Sequence, residues 1–186
     1  MAAKQRMPLD IKPNTYIYMV LLLFLIPLKW LLAWVFAAGF HELCHLFAVK
    51  LCGGEILHMT VGIGGAKMVC SPMSNKKSLF AVLCGPIGGL LPVLFARWIP
   101  RAALCCWLLS MYNLLPLLCL DGGRAIEIVL GTKAVIIHKL FLIMLSIGAV
   151  FVSVVLHFGL LPLGIIVILW LKNRKSPCKP GACKVQ

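Results

Sequence analysis

The segment His41-Glu42-Leu43-Cys44-His45 sets two imidazoles four residues apart, with a carboxylate beside the first. On a helix, residues i and i+4 lie one turn apart on one face, so both rings can reach a single metal ion. Glu42 then stands where it can take a proton from a water polarised by that ion. Two histidines leave zinc underligated, because catalytic zinc takes three protein ligands and keeps one position for water. Asp121, Glu55, His58 and Glu127 can each supply the third. Asp121 is the best placed. It closes the apolar stretch 113–120 and is followed by Gly122 and Gly123, which permit a sharp turn and a close approach to another helix. Glu55 and His58 lie close to the motif in sequence and also read as loop residues. Glu127, three residues from Arg124, reads more simply as half of a surface ion pair.

These groups are embedded in apolar sequence. The motif interrupts a run that begins at Trp30 and resumes as Leu46-Phe47-Ala48-Val49. Ionisable residues inside a membrane span mark functional sites by default. The chain has 186 residues, 62% of them hydrophobic, and a mean hydropathy of +1.02. A soluble domain of this length could not hide so much apolar surface. The net charge of +13 does not point to nucleic acid. Its basic residues gather in tails and loops, which fits anchoring to anionic lipid. No cleavable signal peptide is evident, so the first span is expected to be retained. The nine cysteines do not make a disulfide framework. Cys44, Cys84, Cys105, Cys106 and Cys119 fall in apolar spans as small hydrophobes, and Cys178 and Cys183 lie in a basic tail assigned to the reducing cytoplasm.

The positioning elements follow from hydropathy. The sequence predicts an all-α polytopic membrane protein with about six transmembrane helices, at 16–27, 30–51, 79–98, 102–120, 134–156 and 160–171. Residues 1–15 form an N-terminal tail, 16–171 one membrane domain, and 172–186 a basic tail. A full crossing takes about 20 residues, which makes the first and last spans short. Lys50, Lys76, Lys77 and the tail from Lys172 fall on one side. Lys29, Arg97 and Arg101 fall on the other. That asymmetry places both termini in the cytoplasm. Residues 55–70 do not read as a helix. Their β-branched residues and the glycines Gly62, Gly64 and Gly65 fit a short membrane-associated strand or hairpin, or equally an ordinary cytoplasmic loop. As a strand, the segment could line a cavity beside the metal and pair with an extended substrate.

The His-Glu motif in one span, with Asn113-Leu114-Leu115-Pro116 and Leu120-Asp121-Gly122-Gly123 in a later one, resembles the site-2 protease family of intramembrane zinc metalloproteases. The resemblance covers most of the chain. Its compact form is similar to the bacterial branch that contains the stage IV sporulation protease, which cleaves a membrane-associated sigma-factor precursor. It implies one zinc per chain, held by His41, His45 and Asp121, with Glu42 as the catalytic acid and base. Asn113 matches a family asparagine that helps position substrate or the oxyanion, and Gly85-Pro86 matches a family Gly-Pro. Leu118, Gly89 and Cys44 depart from the common proline, asparagine and glycine. No PDZ-like insertion and no CBS-like regulatory domain is read in the sequence.

The resemblance further implies a bacterial cell membrane. It implies a membrane protein or membrane-associated pro-protein as substrate, such as a sporulation sigma-factor precursor, with a membrane inhibitor or regulator as a further partner. Three other classes use the same ligands: a non-hydrolytic zinc-binding scaffold, a pseudoprotease and a metal transporter. The lack of a polar path through the outer half of the spans argues against transport, and the intact Glu42 argues against a pseudoprotease.

Overall fold

The computed structural model describes residues 9–11, 20, 22, 24–62, 65–118, 120–155, 161–174 and 183–185. Most of these are helical. Helix α1 runs from Leu28 to Leu51, and at about 1.5 Å per residue it is long enough for a hydrocarbon layer of about 30 Å. It starts directly after Pro27. Ile26 still bonds back to Leu22, whereas the amides of Trp30 and Leu31 bond to the Pro27 carbonyl, so the ladder breaks at the proline. Its far end closes as a Schellman turn: Gly54 N–H bonds the Val49 carbonyl, Gly53 N–H bonds the Lys50 carbonyl, and Gly53 has φ +72°.

The residues of α1 that are buried include Ala33, Ala37, His41, His45 and Ala48. Their spacing of three or four puts them in one stripe along the helix. Small alanines flank the histidines and let neighbours come close. Ala33 and Ala37 pack on Cys105 and Cys106 of α3, Pro100–Asn113. Ala48 and Val49 pack on Ala81 of α2, Asn75–Gly88.

A small sheet follows α1. Strands β2 (Ile56–Gly62) and β3 (Gly65–Cys70) form an antiparallel hairpin with a bulge near Ile56 and His58. This agrees with the strand reading of residues 55–70. Met68 and Cys70 alternate inward onto Ala48, Val49 and Ala81, which ties the hairpin to the end of the motif helix. Both outer edges of the hairpin are occupied in part. Strand β1, Leu9–Ile11, runs parallel to β2, and β4, Cys183–Val185, runs antiparallel to β3. The expected substrate-pairing edge along 55–70 is thereby narrowed to residues outside Met59–Val61 and Met68–Cys70.

Three apolar stretches are long enough to cross a membrane among the described residues: Leu28–Leu51, Asn75–Phe95 and Asp121–Val154. Six complete spans are therefore not found. Half of the expected first span, 16–27, lies outside the described residues. The expected fourth, 102–120, becomes the 14-residue helix α3 followed by a loop. Pro116 explains the stop, because it removes a backbone donor and disfavours helical geometry in the residue before it. The expected sixth is the 14-residue α6, Leu161–Arg174, about 21 Å long. The expected loop after Asp121 instead forms helix α4, Asp121–Leu130, which leads through a single 3-10 turn into α5, Ala134–Val155. Outward-facing side chains such as Phe47, Phe80, Leu94, Trp98, Met144 and Phe151 are exposed, an apolar exterior that suits lipid better than water.

Candidate metal centre

Helices α1 and α4 meet at three buried side chains. Nε2 of His41 lies 3.0 Å from Asp121 Oδ2, and Nε2 of His45 lies 3.2 Å from the same oxygen and 3.2 Å from His41 Nε2. The two rings stand nearly perpendicular. Four-residue spacing on one helix face brings the histidines together. Asp121 comes from 76 residues beyond His45.

The local fold explains how Asp121 arrives. Leu114, Leu115 and Leu117 fold back over the first turn of α4. A Cβ on Gly122 would collide with the Leu114 carbonyl, and one on Gly123 with the Leu117 carbonyl. The two glycines thus admit their own preceding loop rather than another helix. Asp121 becomes the first residue of α4, where the positive end of the helix dipole favours a carboxylate. The loop is held from outside by His138, whose Nδ1–H donates to the Pro116 carbonyl at 2.9 Å. In the sequence His138 and His157 read as interfacial residues rather than ligands, but His138 is fully buried. A sequence signal for this exists: Ala134, His138 and Leu142 lie four apart and all three are completely buried. His157 lies outside the described residues.

The orientation of His45 is fixed from behind. Its Nδ1–H donates to the Ala81 carbonyl at 2.8 Å, so in the neutral ring Nε2 carries a lone pair toward the cluster. That lone pair faces the lone pairs of Asp121 Oδ2. Such an arrangement calls for a proton or a cation at its centre. A tetrahedral zinc with ligand bonds near 2.0–2.1 Å separates its ligand atoms by roughly 3.3 Å, close to the separations found. The donor set, two imidazole nitrogens and one carboxylate oxygen, is one that catalytic zinc uses.

Among the described residues, this trio alone has metal-ligand character with its donor atoms within 4.8 Å of one another. Glu55, His58 and Glu127, the other third-ligand candidates, are not part of it. Glu127 does not form the expected ion pair with Arg124, whose Nη1 is buried without a partner. Glu42 is half-buried beside His41 and outside the trio, a position suited to proton transfer. No protein-family model and no curated protein matches the chain. Asn113 ends α3, with its Nδ2 donating to the Leu109 carbonyl at 3.1 Å. Its second N–H and its carbonyl oxygen are not used by that bond. Cys44 sits against Gly88 and is not a member of the trio.

In the sequence Gly85 reads as a close-packing position and as half of a family-like Gly-Pro, and its role is more specific. A Cβ there would run into the His45 imidazole. The ring cannot swing aside without giving up Ala81. Gly85→Ala is therefore expected to cut metal affinity at least tenfold and to destabilise the fold by about 1–3 kcal/mol. Elemental analysis of the purified protein and its thermal melt check both, and wild-type metal content would show that the two helices can separate without disturbing the trio.

Proposed function

We propose that the chain is an intramembrane zinc metalloprotease of the site-2 protease type, hydrolysing a peptide bond in or near a transmembrane segment of a membrane-associated substrate. The observation that carries this is the convergence of His41, His45 and Asp121, buried, beside Glu42, in a chain with three membrane-length apolar stretches. The sequence resemblance supports the same reading and extends it to a sporulation-type sigma-factor precursor in a bacterial cell membrane.

His41, His45 and Asp121 hold the zinc. When bound, zinc supplies Lewis acidity, which makes water a better nucleophile and polarises a carbonyl. Glu42 takes the proton released as water attacks the peptide carbon and delivers it to the leaving amine. The amide of Asn113 donates to the developing oxyanion or holds the substrate backbone. A substrate helix must unwind first, because its own hydrogen bonds occupy its amides and the extended chain fits a site of this kind. Pairing with the sheet uses the uncovered parts of the hairpin edges or displaces β1 or β4.

Water and the released product belong to the cytoplasmic side. His45 is six residues from the end of α1 at Leu51, roughly 9 Å of helix, and Lys50, Lys76 and Lys77 gather at that end. Co-expression with candidate single-span substrates, each carrying a reporter on its cytoplasmic segment, tests the proposal. The expected result is a soluble reporter fragment in the cytoplasm that disappears when zinc is withheld. A zinc-replete, folded protein that cleaves none of a broad substrate panel would favour a non-hydrolytic scaffold, and release of the opposite segment would invert the topology.

A further inference from the structure

His45 has a hydrogen-bond acceptor behind it, whereas His41 has none. Nδ1 of His41 is buried without a partner. With its Nε2 turned to Asp121 and His45, a neutral ligating ring carries its hydrogen on Nδ1. Metal-bound histidines almost always donate that hydrogen to a carboxylate, a carbonyl or water. A second buried polar atom without a partner lies nearby: Oγ of Ser110 on α3. Both face the side of Gly89 that lacks a Cβ. A Cβ built there would be 2.6 Å from Ser110 Oγ, 3.0 Å from the Gly85 carbonyl and 3.6 Å from His41 Nδ1. Glycine at 89 thus lets three polar groups converge on the place a side chain would fill. One donor and two acceptors meet the usual requirement of a buried water for two to four polar partners.

We propose that Ser110 is a positioning residue of the metal centre: one water beside Gly89 accepts the Nδ1–H of His41 and donates to the Ser110 hydroxyl. The inference rests on the reading of His41, His45 and Asp121 as metal ligands. Ser110 does for His41 what the Ala81 carbonyl does for His45. It selects the tautomer with a lone pair on Nε2 and fixes the plane of the ring. The two histidines are then held from two different helices, His45 from α2 and His41 from α3. Any shift of α3 against α1 is thereby transmitted to one ligand and not to the other.

The test uses the full chain, purified in detergent, with zinc affinity measured by competition against a chromophoric chelator. Ser110→Ala removes the acceptor and is expected to weaken zinc binding about 10–100-fold, the usual cost of losing such a partner. Ser110→Cys keeps the volume with a poor acceptor and is expected to fall with alanine. Ser110→Thr keeps the hydroxyl and is expected to restore most of the affinity. Cobalt substitution gives a second readout: the ligand-field bands should shift in the alanine and cysteine variants and return in threonine. Wild-type affinity and wild-type cobalt bands in both Ser110→Ala and Ser110→Cys would overturn the inference. So would an affinity that follows side-chain volume rather than the hydroxyl, since that marks a packing role. If the wild-type protein itself binds no zinc, the reading of the centre fails, and this inference with it.

Discussion

Glu42→Gln is expected to abolish peptide cleavage while zinc stays bound. Glutamine keeps the length and polarity of the side chain, but its amide cannot accept a proton at neutral pH. Glu42 is adjacent to His41 yet outside the trio of metal-ligating atoms, so its replacement leaves the donor set intact. Loss of a general base costs typically 10²–10⁴ in rate, enough to remove visible product from a cellular assay. The two readouts must be taken on the same preparation: zinc per chain by elemental analysis, and fragment formation by immunoblot. A folded, zinc-loaded Glu42→Gln protein that still turned over normally would rule out Glu42 as the proton carrier. Loss of zinc together with activity would instead make Glu42 part of the coordination sphere.

Asp121→Asn should do the reverse and release the metal. Asp121 Oδ2 is the point at which the trio closes, 3.0 Å from one ring nitrogen and 3.2 Å from the other. The amide preserves shape but removes the negative charge that balances the cation. What remains is a pair of neutral imidazoles, and two ligands do not make a zinc site of ordinary affinity. The expected fall in affinity exceeds the 10–100-fold typical of losing an outer partner, and activity should fall with it. His41→Ala and His45→Ala are expected to behave alike. Full zinc occupancy in purified Asp121→Asn would move the third ligand elsewhere, with Glu55 and His58 the first alternatives to mutate.

The cluster of His41, His45 and Asp121 is legible in sequence because each member carries a local mark. Four-residue spacing declares the histidines, and an acidic residue at the end of an apolar stretch, followed by two glycines, declares Asp121. The hairpin is legible from its β-branched residues and glycines, although its occupied edges are not. Strands of three residues, such as β1 and β4, carry too little pattern to be found. The six-span count fails for a different reason. Hydropathy measures how apolar a stretch is, not whether its backbone stays helical, and Pro116 ends α3 inside a stretch that is apolar throughout. Helix α4 escapes because it is only ten residues long and opens on Asp121-Gly122-Gly123, residues of low helix propensity that read as a turn. The partners behind the ligands are invisible for a different reason. A backbone carbonyl at Ala81, a lone serine at 110 and the missing Cβ of Gly85 carry no periodic signature.

The pairing of β1 and β4 with the hairpin makes the sheet a clasp. All four strands belong to one sheet, yet Ile11 pairs with Val61 across the whole of α1, and Cys183 pairs with Cys70 across every helix from α2 to α6. Met68 and Cys70 of the same sheet pack on Ala48 and Val49, three and four residues beyond His45. The entropy of closing such long loops must be met before these pairs form, so two of the shortest strands in the chain join its most distant segments beside the end of α1 that carries the histidines.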